Sequence, residues 1–129
     1  MIYLDTSAFV KLIRGERETP ALQAFLRERP EAPLVSSALL VVETRRAVLR
    51  EAPDQLARAD LLLTRIDQVH ITRPVVEAAS RLPDPALRTL DAIHVATALQ
   101  LDRDLEALVT YDRRLAAAAG RQRLPVVTP

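Results

Sequence analysis

Short β-branched runs alternate with helical stretches along the whole 129-residue chain, and this alternation limits the fold more than any other feature. Strands separated by helices cannot pair as hairpins. They line up in parallel, with the helices covering the sheet. Residues 2–5 read as the first strand, after which Thr6 or Ser7 is placed to cap a helix that runs through about Arg14 and ends at Gly15. Thr19-Pro20 opens a second helix whose apolar stripe is Leu22, Phe25 and Leu26. Residues 34–36 form a short strand, Ser37 caps a helix to about Arg50, and Pro53 opens another through Ile66. Residues 69–71 are too few to assign. Arg73-Pro74 starts a helix that stops near Pro83, since each proline of Leu82-Pro83-Asp84-Pro85 disfavours helix in the residue before it. Thr89 caps a helix over residues 90–101, residues 107–110 form a strand, residues 113–119 a helix closed by Gly120, and residues 125–128 a last strand. The expected class is α/β, a central parallel sheet flanked by helices. Residues 1–129 are expected to form a single domain, because this length leaves no room for a second core.

With 49% hydrophobic and only 3% aromatic residues, the core must be built from Leu, Val, Ile and Ala. The absence of Cys excludes disulfides, thiol catalysis and a Cys-ligated zinc site. No basic leader or long apolar segment opens the sequence, and the apolar run at residues 38–42 is far too short to span a bilayer, so a cytoplasmic location without membrane contact is expected.

Four carboxylates fall where such a topology would gather them. Asp5 ends the first strand and Asp112 lies just beyond the strand at 107–110. Ligands of open parallel sheets bind at the carboxyl ends of the strands. Asp91 sits in the first turn of its helix, and Glu43 follows the apolar run Ala38-Leu39-Leu40-Val41-Val42. A carboxylate on an apolar face must be paired or metal-bound, because burying a lone charge is costly. Other roles stand open: Arg46 can pair with Glu43, and Asp91 and Asp112 each suit a helix N-terminus. Two unit charges 4 Å apart repel by about 4 kcal/mol at an effective dielectric of 20. A cluster of four therefore holds protons or a hard cation, and all-oxygen donors select magnesium or manganese. The chemistry that follows is metal-assisted hydrolysis of a phosphodiester.

The stretches Ile2-Tyr3-Leu4-Asp5-Thr6-Ser7-Ala8, Val42-Glu43, Leu90-Asp91-Ala92-Ile93-His94-Val95-Ala96-Thr97-Ala98 and Val109-Thr110-Tyr111-Asp112-Arg113-Arg114-Leu115 resemble, in order and across nearly the whole chain, the motifs of PIN domains. Ala119-Gly120 and the terminal Pro-Val-Val strand resemble the end of a VapC-type toxin of a VapBC toxin–antitoxin system. The resemblance implies a PIN fold and a magnesium-dependent endoribonuclease, with manganese as a substitute, whose acidic quartet is Asp5, Glu43, Asp91 and Asp112. Asp5 and Asp91 would be direct ligands, while Glu43 and Asp112 would complete the site or hold its water. Thr6, Ser7 and Thr110 would support the quartet by orienting carboxylates or water. It also implies transfer or ribosomal RNA as target, a VapB-like antitoxin as partner, and a homodimer.

Two further groups draw attention. His94 shares a helical face with Asp91, where a hydrogen-bonded structural role is expected. Lys11 (the only lysine) and Arg14, one turn apart on the first helix, are the expected RNA-phosphate contacts. Other readings have specific gaps. A haloacid-dehalogenase-type phosphohydrolase wants a second Asp where Ser7 stands, and a nucleotide-binding enzyme lacks its glycines. A non-catalytic PIN-like binding module would have no need for mutually repelling carboxylates.

Overall fold

The computed structural model describes residues 1–129. Strand β1 (Ile2–Leu4) is fully buried on both faces, the situation of a central parallel strand covered by helices. With β2 (Leu34–Ser37), β3 (Asp67–Val69), β4 (Ala107–Val109) and β5 (Val126–Val127) it forms one five-stranded sheet of order β3-β2-β1-β4-β5, parallel throughout. Side chains alternate across the sheet with the strand period of two. Ile2, Leu4, Ala107 and Val109 pack on one side with Phe9, Leu22, Leu40, Val48 and Leu63. Those residues come from helices α1 (Thr6–Arg14), α2 (Thr19–Arg27), α3 (Leu39–Glu51) and α4 (Leu56–Leu63). Tyr3, Val35 and Leu108 point the other way, against Val95, Ala98, Leu115 and Ala119. Helix α5 (Arg73–Ser80) packs on α6 (Thr89–Gln100), and α7 (Arg113–Arg121) completes that side.

This order determines where a site can form. From β1 the chain builds outward through β2 to β3, then returns to place β4 on the opposite flank of β1. The connections leaving β1 and β4 therefore diverge, and a crevice opens at the carboxyl ends of these two strands. Asp5 stands at one lip and Thr110 to Asp112 at the other.

Most expected elements are present, with informative shifts at their ends. Asp5 is not a strand residue and neither Thr6 nor Ser7 caps α1: Asp5 itself is the N-cap, its side chain accepting the Ala8 N–H. Ala38 occupies the N-cap position of α3, although Ser37 Oγ still accepts the Leu39 N–H at 3.3 Å. Arg88, not Thr89, precedes α6. Pro53–Gln55 is a single 3-10 turn, leaving α4 shorter than expected, and the unassigned stretch near Val69 proves to be β3. The helix after Asp112 runs through Gly120 to Arg121, and the left-handed residue beyond it is Arg123, with φ 62°. A glycine inside a helix costs only about 1 kcal/mol. The burial of Leu115, Ala118 and Ala119 outweighs that.

The two glycines thus do opposite jobs. Gly15 ends α1 at φ +69°, its N–H bonded to the Lys11 carbonyl, and an added Cβ would meet nothing within 4 Å. Gly15→Ala should therefore cost only the backbone strain, about 1 kcal/mol. Gly120→Ala, also with open space around it, should gain about 0.5–1 kcal/mol. Urea denaturation of the two variants tests this pair of opposite signs.

Candidate active site

Asp5 is 3% exposed, and every local contact around it is a donor aimed at its carboxylate. Oδ1 accepts the Ala8 N–H at 2.9 Å, Ser7 Oγ reaches both oxygens at 2.8 and 2.9 Å, and Thr110 Oγ1 donates to Oδ2 at 2.7 Å. The two hydroxyls are themselves polarised from behind. Ser7 Oγ accepts the Tyr111 N–H at 2.8 Å and Thr110 Oγ1 accepts the Asp112 N–H at 3.0 Å. Each hydroxyl spends its one proton on Asp5, so the start of α1 and the end of β4 are tied together through this carboxylate. Burial still pushes the Asp5 carboxyl above its ordinary value, against the opposing pull of Thr110, Ala8 and Ser7.

Glu43 rises from the half-buried face of α3. Its Oε2 accepts Thr6 Oγ1 at 2.6 Å and lies 2.7 Å from His94 Nε2. Burial acts to raise this carboxyl, but the hydrogen bonds of His94 and Thr6 outweigh it and hold Glu43 below the usual carboxylate value. His94 is 2% exposed. Its other ring nitrogen, Nδ1, lies 2.6 Å from the Tyr3 hydroxyl, which accepts the Ser37 N–H at 3.1 Å.

Asp112 caps α7, with Oδ1 accepting the N–H groups of Arg114 and Leu115 at 2.7 and 3.1 Å. Asp91 differs from the other three. It occupies the first turn of α6, its Oδ2 is buried, and that oxygen has no hydrogen-bond partner. Burial, then repulsion from Asp112 and Glu43, raises its carboxyl, against attraction from Arg88. Mutual repulsion shows that these groups share one electrostatic neighbourhood. All four carboxylates, with Thr6, Ser7, His94 and Arg88, line one open cleft of about 560 Å³.

The structure thus brings together the whole expected quartet and its hydroxyl neighbours. Ser7 and Thr110 bond Asp5, while Thr6 turns to Glu43 instead of Asp5. Arg46 makes no ion pair with Glu43; His94 holds that place. Lys11 and Arg14 line the cleft but are occupied within the chain. Lys11 bonds Glu16 and Glu18 at 2.7 and 2.9 Å beneath the Tyr111 ring, and Arg14 pairs with Glu51. Arg88, which lines the cleft with no ion pair, is the cation left available there. Tyr3 was not legible as a site residue, and the only hint was a phenol in an otherwise apolar strand.

The unpartnered Asp91 makes a stability claim. Because its folded carboxyl is raised, the unfolded chain holds fewer protons in the window between the ordinary and raised values, and stability falls as pH climbs through it. Asp91→Asn should therefore melt at a higher temperature than the natural chain at neutral pH in metal-free buffer. The advantage should vanish below about pH 4, where both forms are neutral. Thermal melts across pH check this, and a variant that is less stable at neutral pH would contradict it.

Known proteins resemble this chain along nearly its whole length. The family model described as "PIN domain" matches residues 2–121. Ribonuclease VapC35 of Mycobacterium tuberculosis is 47% identical over 131 residues, covering 100% of this chain and 97% of the relative. Ribonuclease VapC46 of the same species is 42% identical over 128 residues, covering 99% and 97%. Among solved structures, a toxin–antitoxin complex from Klebsiella pneumoniae superposes with a TM-score of 0.75 at 27% identity, over 100% of this chain and 98% of the other. Mycobacterium tuberculosis VapC20, described as a Sarcin-Ricin loop cleaving toxin, shares the fold with a TM-score of 0.78 at 19% identity and full coverage of both chains. With its motifs, its fold and almost every residue in register with such proteins, this chain belongs to the PIN-domain family, among the VapC-type ribonucleases.

Proposed function

We propose that the chain is an endoribonuclease toxin that hydrolyses RNA phosphodiester bonds at the four-carboxylate cleft with the help of magnesium. The observation that carries this reading is Asp91: a buried carboxylate oxygen without a hydrogen-bond donor, beside two further acids, has capacity for a cation that Arg88 only partly meets. No three carboxylate or His side chains are drawn together tightly enough to hold an ion by protein donors alone. That suits magnesium, which keeps several waters and takes only one or two carboxylates, with manganese as a substitute. Asp91 and Asp5 would be the direct ligands, and Glu43 and Asp112 would complete the site. When bound, the ion would neutralise charge developing on the phosphate and make water a stronger nucleophile.

The chain's own residues supply the rest. Ser7 and Thr110 keep the plane of the Asp5 carboxylate fixed from the protein side. Asp112 commits Oδ1 to the N-terminus of α7 and keeps its other oxygen for water or substrate. Arg88, free of internal partners, is the better candidate for an RNA phosphate than Lys11 or Arg14, which would first have to leave Glu16, Glu18 and Glu51. Like the Klebsiella pneumoniae complex, whose name records an antitoxin, this chain would be neutralised by a VapB-like partner. It would act in the cytoplasm as a homodimer on transfer or ribosomal RNA. No helix is long and apolar enough to cross a membrane.

Inducible expression in a bacterial host tests the reading. The natural chain should arrest growth with RNA cleavage, and Asp91→Asn should lower cleavage by at least about a hundredfold and abolish arrest. Equal toxicity of the two would reject the mechanism, and sequencing the cleaved ends would identify the target. Magnesium at about 100 times its dissociation constant should stabilise the natural chain by ~2.7 kcal/mol and leave Asp91→Asn unchanged. Calorimetry and thermal melts measure that difference.

A further inference from the structure

The buried pair Tyr3 and His94 has no place in the chemistry above, yet it ends on a cleft carboxylate. Tyr3 is fully buried and His94 nearly so, their rings meeting edge to face at 5.9 Å between centroids. Polar groups buried this deeply in a sheet–helix interface need a full set of partners. With Glu43 ionised and the imidazole neutral, the partners fix the direction of every proton. The Ser37 N–H can only donate, and it donates to the Tyr3 oxygen. The single phenolic proton then goes to His94 Nδ1 at 2.6 Å. A ring nitrogen that accepts leaves the other one to carry the hydrogen, so Nε2–H points at Glu43 Oε2, 2.7 Å away. Thr6 Oγ1 donates to the same oxygen at 2.6 Å, while Oε1 has no protein donor.

We propose that Tyr3 and His94 are positioning residues: a one-way hydrogen-bond chain from the backbone of β2 to Glu43 holds Oε2 inside the protein and reserves Oε1 for the cleft. Without this chain the glutamate, on a flexible stem, would sample rotamers that offer either oxygen or neither. With it, the carboxylate presents one oxygen in one place, as sites that hold an ion by oriented ligands require. The inference rests on the nuclease reading, because it concerns how that site is assembled.

The test compares Tyr3→Phe, His94→Gln and His94→Leu in the full chain. The readouts are RNA cleavage resolved into kcat and KM, and calorimetric titration of the protein alone with manganese. His94→Leu should lose about 10–100-fold in kcat and in manganese affinity, with KM for RNA little changed. His94→Gln, whose amide can offer an N–H near the position of Nε2, should recover most of both, and Tyr3→Phe should fall between them. If all three match an active natural chain, or if Gln is no better than Leu, positioning is overturned while the nuclease reading stands. A natural chain that neither cuts RNA nor binds manganese overturns both. Nitrogen NMR of the natural chain needs no variant to fold: the expected form carries hydrogen on Nε2 only, and a ring with hydrogen on Nδ1 overturns the proposal.

Discussion

A carboxylate buried at the junction of three elements is the constraint on which the rest of the structure depends. Asp5 follows the central strand, caps α1 and bonds the end of β4, and it is a carboxylate nearly closed off from water. Such a charge is tolerable only if donors surround it. One backbone N–H and two hydroxyls do so, and the hydroxyls are held by the backbone N–H groups of Tyr111 and Asp112. The carboxylate therefore determines how α1 leaves β1 and how the Thr110–Asp112 turn sits beside it. The cleft between them is a consequence of satisfying that charge.

The four acids are satisfied to very different degrees. Asp5 is saturated by donors, Glu43 has a hydroxyl and an imidazole on one oxygen, and Asp112 bonds a helix N-terminus. Asp91 has a buried oxygen with nothing on it. Thr6, Ser7 and His94, which bond these carboxylates, line the same cleft. On the proposed metal reading, that arrangement would convert repulsion in the metal-free protein into affinity for a cation. Stability lost at one position, Asp91, is offset by packing on both faces of β1.

The cations show the complementary side. Lys11 and Arg14 have the spacing expected of phosphate-binding residues on an exposed helix, but their partners lie elsewhere. Glu51 is 37 residues from Arg14 in sequence and meets it only because α3 packs beside α1. His94 of α6, on the other face of the sheet, meets Glu43 of α3, 51 residues away, and Arg46 makes no ion pair with that glutamate. Which charges are spent is thus decided partly by local pairs, such as Lys11 with Glu16 and Glu18, and partly by tertiary contacts such as Arg14 with Glu51.

The sequence by itself determined the α/β alternation and the parallel sheet, because hydrophobic period and capping are local properties, while the grouping of Asp5, Glu43, Asp91 and Asp112 rested on strand-end placement and on resemblance to PIN motifs. It also placed the end of α1 at Gly15, where only glycine takes the left-handed turn without strain. Helix ends were less legible: α7 continues through Gly120 because its buried face outweighs a small local preference. Only the tertiary structure decided that Asp5 is its own helix cap, that Thr6 serves Glu43, and that Tyr3 and His94 stand behind the same carboxylate. The relations of Thr6, Tyr3 and His94 join residues 37 to 91 positions apart. Their physical cause is the burial of polar groups, which must find partners among whatever the packed elements place within about 3 Å.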